Sequence, residues 1–93
     1  MNSGRRKILN DLFTEPIRAD VRWDDVETLM QALGAEISQG GGSRVRFAFN
    51  DVKATFHKPH PEPELKKYSV KKIKQFLENA GITLDIILRA FPD

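Results

Sequence analysis

The chain has 93 residues, of which 40% are hydrophobic, 30% charged and 9% aromatic, and its formal net charge is +2. That is one small domain with enough apolar content for a core, which excludes a disordered tail. It has no cysteine, so neither a disulfide framework nor a thiolate metal site is available, a composition that fits a reducing cytoplasm.

No apolar run approaches the roughly 20 residues of a membrane span. The opening "MNSGRRKILNDLF" soon turns acidic and lacks an unbroken apolar stretch, so no signal peptide is expected. Charge is unevenly spread: residues 40–74 carry nine Lys/Arg against three Asp/Glu, a net of +6, leaving the remainder at −4. Such segregation predicts one basic face able to attract a polyanion, although an unevenly charged solvated surface has the same composition.

There is no internal repeat and no linker. The first helix is expected over Ser3 to Phe13, with Ser3 as N-cap and Ile8, Leu9, Leu12 and Phe13 as an apolar stripe. Pro16 ends it, and "IRADVRW" connects onward. A second helix starts with Asp24 as N-cap and Glu27 three residues on, a relative of the capping box. Val26, Leu29, Met30 and Leu33 keep helical spacing, and Gly34 supplies the stop.

A sheet follows. "AEISQ" (35–39) reads as a short strand and "GGGS" (40–43) as a loop. In "SRVRFAFNDVKATFH" apolar residues alternate on both sides of Asn50-Asp51. A two-residue hairpin loop there fixes the register. Phe49 faces Val52, Phe47 faces Ala54 and Val45 faces Phe56, all toward the core. On the other face Ala48 meets Lys53, Arg46 meets Thr55, and Arg44 meets His57.

Prolines at 59, 61 and 63 stiffen "HKPHPEPEL" and rule out a central strand there. The third helix is expected from Ser69 as N-cap, burying Val70, Ile73, Phe76 or Leu77, and Ala80, and ending at Gly81. Lys66, Lys67, Lys71, Lys72 and Lys74 crowd its start, where cations oppose the helix dipole, which favours an external anion over a local structural role. "TLDIILRAF" (83–91) reads as a short amphipathic helix, for the core or for a partner. The order helix, helix, three strands, helix, tail gives an α+β two-layer sandwich: helices cover one face of an antiparallel sheet and the arginine face stays open.

Several chemistries compete for the basic hairpin. His57 and His60 are spaced H-x-x-H, but further ligands in fixed geometry are lacking, so no metal and no cofactor is expected. Ser43 near a histidine lacks the sequence around a hydrolase nucleophile. RNA cleavage has the better physical case. It needs a base for the 2′-hydroxyl proton, an acid for the leaving oxygen, and cations for the phosphorane charge. Histidine can take either proton task, and arginine binds phosphate in a permanently charged fork. Glycines 40–42 would let the backbone approach a phosphate. Two surface histidines beside solubilising arginines explain the same residues without chemistry.

"WDDVETLMQALGAEIS", "GGGSRVRF", "FHKPHPEPEL" and "IKQFLENAGIT" together resemble the HicA family of toxins, over roughly residues 23–83. The resemblance implies a fold like a double-stranded RNA-binding domain, a metal-independent mRNA interferase and a HicB antitoxin that covers the active face; the cytoplasmic location without membrane attachment is the expectation from composition given above. It divides the single domain into an N-terminal helical extension (1–22), a core (23–83) and a tail helix (84–93). The expected RNA- and phosphate-binding set is Gly42, Ser43, Arg44, Arg46, Lys53, Lys58, Lys66 and Lys67, with His57 and His60 as the catalytic pair. Self-association is compatible with the sequence.

One departure stands out: where the family motif has a histidine after glycine and serine, this chain has Arg44. Arginine cannot be a general base at neutral pH. Three outcomes follow. The chemistry has moved to His57 or His60, the domain binds RNA without cutting it, or it is a protein-interaction domain that has lost nucleic-acid function. The register favours the first, because it sets His57 across from the substituted position.

Overall fold

The computed structural model describes residues 3–90. In chain order these form α1 (Ser3–Leu12), α2 (Trp23–Leu33), β1 (Glu36–Gln39), β2 (Arg44–Phe49), β3 (Val52–His57), α3 (Lys67–Asn79) and α4 (Leu84–Ala90). The strands make one antiparallel sheet in the order β1-β2-β3. With the helices packed on one side of it, the fold is α+β.

The turn between β2 and β3 sets the register. Asn50 and Asp51 both adopt left-handed backbone angles, φ 49° and 66°, which match the twist of a two-residue hairpin. All six expected pairs form, from Phe49 with Val52 to Arg44 with His57. Asn50 Nδ2 also donates to the Ala80 carbonyl at 2.8 Å, tying the turn to the end of α3.

Register decides which side chains go inward. Val45, Phe47 and Phe56 are buried while Arg44, Arg46 and His57 are exposed. Phe47 is the hub of the core. Its ring stacks on Trp23 at 5.6 Å between centroids and lies 5.3 Å from Phe56 and 6.3 Å from Phe76. These offsets suit aromatic quadrupoles, and they lock α2, β2, β3 and α3 together. The Trp23 indole N–H finds its partner at the surface, donating to Glu27 Oε2 at 2.8 Å.

Helix starts differ from the expectation. α2 begins at Trp23 with Arg22 at the N-cap, so Asp24 lies inside the first turn and does not cap. Glu27 is occupied by Trp23, and the Trp23 backbone N–H donates to Pro63 at 3.0 Å. A tertiary partner thus takes the place of a local cap. α3 likewise begins at Lys67 with Lys66 at the N-cap, two residues before Ser69. Ser3 opens α1 as a helical residue, and Phe13 lies just past its end. The helix stops were legible: Gly34 has φ 91° and Gly81 φ 82°, as left-handed caps require. Phe91 of the expected tail helix lies outside the described residues.

The lysines of α3 are partly local after all. Lys72 Nζ donates to the Thr55 carbonyl and sits 4.9 Å from the Phe56 ring centroid. Since β3 is an edge strand, this contact satisfies an otherwise open carbonyl. Lys74 Nζ lies 2.7 Å from Glu15 Oε1 and 5.8 Å from the Phe13 ring centroid, and this pairing raises its pKa. It joins α3 to the segment after α1.

α1 is part of the core: Leu9 and Leu12 are fully buried with Trp23, Leu29 and Phe47. Leu12→Ala should therefore cost about 2–5 kcal/mol of stability in urea unfolding. The connector after α1 is pinned by Arg18, whose Nε and Nη2 reach the Asp20 carboxylate at 2.8 and 2.6 Å. That hydrogen bonding holds the Asp20 carboxyl at about 2, below its ordinary 3.8. A depressed folded-state pKa adds stability above about pH 4 that is lost as pH falls through about 2. The exposed pair is well screened. Asp20→Asn should slightly destabilise the protein at pH 6, with the difference closing by pH 2 in denaturation curves.

Candidate functional site

The uncovered sheet face is laid out by the strand register in rows. Ser38, Arg46 and Thr55 are adjacent across the three strands. One row toward the glycine loop, Arg44 faces His57. One row toward the hairpin tip, Glu36, Ala48 and Lys53 line up. Positive charge therefore concentrates at the glycine-loop end, while Glu36 offsets Lys53 at the other.

Arg44 and Arg46 share a depression of about 230 Å³ with Ser38, Gln39, Gly40 and Thr55. Arg44 is held in place by its own loop. Its Nε donates to the Gly41 carbonyl at 3.1 Å, its backbone N–H donates to the same oxygen at 3.3 Å, and Gly40 N–H donates to the Arg44 carbonyl at 2.8 Å. A Cβ on Gly41 would stand 3.0 Å from Arg44 Nη2, and one on Gly40 would stand 3.2 Å from Arg44 Cβ. Gly40 and Gly41 thus make room for the arginine. Gly42 turns the chain at φ 65°. Ser43 contributes its carbonyl, accepting from Lys58 N–H at 2.9 Å and extending the hairpin one residue past the Arg44–His57 pair.

A larger groove of about 740 Å³ lies at the other side of His57. His60, Lys58 and Lys66 line it together with His57, as do Glu62, Glu64 and Tyr68. The proline loop holds this shape because it is tethered. The Glu64 backbone forms an isolated antiparallel β-bridge with that of Arg22, Leu65 N–H donates to the Val21 carbonyl at 2.7 Å, and the Leu65 side chain is buried. Lys67 is exposed at the start of α3 but is not part of the groove lining. Lys53 is elsewhere, in a separate depression of about 530 Å³ with Glu36 and the hairpin tip.

The structure therefore gathers His57, His60, Lys58 and Lys66, sets Arg44 and Arg46 beside them, and leaves Lys53 apart. Among the described residues no three of His, Asp and Glu stand together as a metal ligand set. Tyr68 was not singled out by the sequence. Its signal was there: the chain's only tyrosine, in a lysine run, off the apolar stripe of Val70, Ile73 and Leu77.

A small α+β domain with guanidinium and imidazole groups on an uncovered sheet face defines a class of protein suited to phosphate-bearing ligands. The family model for "HicA toxin of bacterial toxin-antitoxin" matches residues 23–82, well over half of the chain. The chain belongs to the HicA toxin family. Membership implies an antitoxin partner and an RNA target in general terms. No curated protein and no solved structure was found to match. α1 lies outside the matched segment although its leucines complete the core. No helix among the described residues is long and apolar enough to cross a membrane.

Gly41→Ala should displace the tip of Arg44 and break its bond to the Gly41 carbonyl while leaving the fold intact. The expected result is a shifted Arg44 Nε–H resonance with an unchanged unfolding midpoint.

Proposed function

We propose that this toxin is a metal-independent mRNA interferase of a HicBA-like type II pair, working in the cytoplasm and held in check by a HicB-like antitoxin. The observation that carries this reading is the cross-strand pairing of exposed His57 with Arg44, at the edge of a groove that also holds His60.

In the proposed reaction the 2′-oxygen attacks the adjacent phosphorus as its proton passes to one imidazole. The 5′-oxygen leaves with a proton from the other. The products are a 2′,3′-cyclic phosphate and a 5′-hydroxyl, so atoms and charge balance without a metal. Arg44 and Arg46 would neutralise the charge that grows on the phosphoryl oxygens, a role a fixed guanidinium fills without reorganising. Arg44 occupies the position of the family's motif histidine, and the proton work falls to its strand partner. Lys58 and Lys66 would carry flanking phosphates, with Lys67 and Lys53 adding longer-range attraction.

The substitution at Arg44 also favours a second reading, a domain that binds RNA without cutting it. The two separate cleanly. Under the first, expression arrests growth and degrades mRNA, EDTA has no effect, and His57→Ala or His60→Ala lowers cleavage by about 10²–10⁴-fold, the usual contribution of a general acid or base. If both histidine variants cleave like the parent, or if nothing is cleaved while Arg44→Ala abolishes RNA retention, the catalytic assignment is wrong. The antitoxin is expected to cover Arg44, Arg46 and His57, read as slowed amide exchange in β2 and β3.

A further inference from the structure

Most apolar side chains of this domain are buried or packed against the core. Among the described residues whose side chains are placed, only Tyr68 and Ile86 are large exposed hydrophobics, at 70% and 44%. Tyr68 is not loose tail material. It sits in the first turn of α3, a helix anchored by buried Val70, Ile73, Phe76 and Leu77. Its ring and hydroxyl have no hydrogen-bond, aromatic or cation partner among the described residues. One exposed aromatic is ordinary by itself; what gives Tyr68 weight is its place in the lining of the histidine groove.

The surroundings indicate what would cover it. Tyr68 lines the same groove as His57, His60, Lys58 and Lys66. The other apolar residues of its lining are the small exposed Ala19, the half-buried Pro59 and the buried Leu65, so the patch lacks the large apolar core of a protein interface. Glu62 and Glu64 line the groove as well. Carboxylates repel phosphate but accept hydrogen bonds from the amino groups of bases. The cationic depression at Arg44 and Arg46 contains no carboxylate. The two cavities therefore differ in kind: the depression offers only cations and neutral groups, and the groove adds carboxylates and an exposed ring to its lysines, a lining that suits a base beside its flanking phosphates. His57, paired with Arg44 on the sheet and lining the groove, stands between them.

We infer that Tyr68 is a stacking platform for an RNA base, and that the substrate is single-stranded beside the cleaved bond. A base inside an A-form duplex has both faces covered by its neighbours, and only a splayed base offers one to an aromatic ring. This inference rests on the RNA-directed reading above and adds the base-binding half of the site. Tyr68 acts as a positioning residue: a base held on its ring fixes where the adjacent 2′-hydroxyl lies relative to His57.

The test uses a short fluorescent RNA with 2′-methoxy groups throughout, which cannot be cleaved, and follows its anisotropy. Tyr68→Ala should weaken single-strand binding about tenfold or more, as loss of one stacked base does, while Tyr68→Phe keeps it. The salt dependence should be unchanged in Tyr68→Ala and reduced in Arg44→Ala, because only the latter loses a phosphate contact. A duplex of the same sequence should bind more weakly than the single strand.

Unchanged affinity in Tyr68→Ala, with Arg44→Ala defective, would overturn the platform and leave the RNA-directed function standing. Duplex binding at least as tight as single-strand binding would overturn it too. Loss of antitoxin binding alone in Tyr68→Ala would assign the ring to the protein partner instead. If the parent protein binds no RNA, both the platform and the proposed function fall.

Discussion

The rest of this structure depends on a two-residue turn. Asn50 and Asp51 accept left-handed backbone angles, a conformation that disfavours most side chains but that asparagine and aspartate tolerate. The turn permits one register between β2 and β3. A slip of one residue would carry Val45, Phe47 and Phe56 into water and drive Arg44, Arg46 and His57 into the core. Burying the two guanidinium groups unpaired would cost far more than the turn's own strain. The same constraint that builds the aromatic core therefore builds the cationic face.

That coupling explains the division of labour across the sheet. The inner face is held by Phe47 against Trp23, Phe56 and Phe76, so the strands beneath the site are rigid. Among the described residues the outer face has no layer above it and keeps its polar groups in water. Rigid support matters because a charged pair on a mobile hairpin would be blurred by rotamer freedom. Arg44 is restrained further by the glycine loop, where two missing Cβ atoms and one carbonyl bond select its direction. The loop thus bears on the exposed face through Arg44.

The segment matched by the family model does not complete its own core. Leu9 and Leu12 of α1 seal it, and Lys74 reaches Glu15 and Phe13 to hold that helix down. The connector before α2 also pairs with the proline loop through a backbone β-bridge between Arg22 and Glu64. The residues before Trp23 therefore contribute twice, once as apolar seal and once as a wall of the histidine groove, which Ala19 also lines.

Much of this was legible from local pattern. Alternation around Asn50-Asp51 gave the sheet register and the outward row of Arg44, Arg46 and His57, because side-chain direction in a strand has period two. Helical spacing gave the buried faces of α2 and α3, and glycines marked their ends. Helix starts were not legible, because Arg22 and Lys66 begin helices that no side chain caps; the Trp23 N–H instead bonds to Pro63, distant in sequence. Nor could the sequence place Lys66 and Tyr68 beside His57 and His60, or separate Lys53 from them. Those relations arise where a proline loop folds back on a connector far away in the chain. By itself the sequence determined which residues share a face, since that is a property of neighbours along a strand or helix. Only tertiary structure decided which faces meet, because that depends on contacts between segments whose separation in the chain sets no distance.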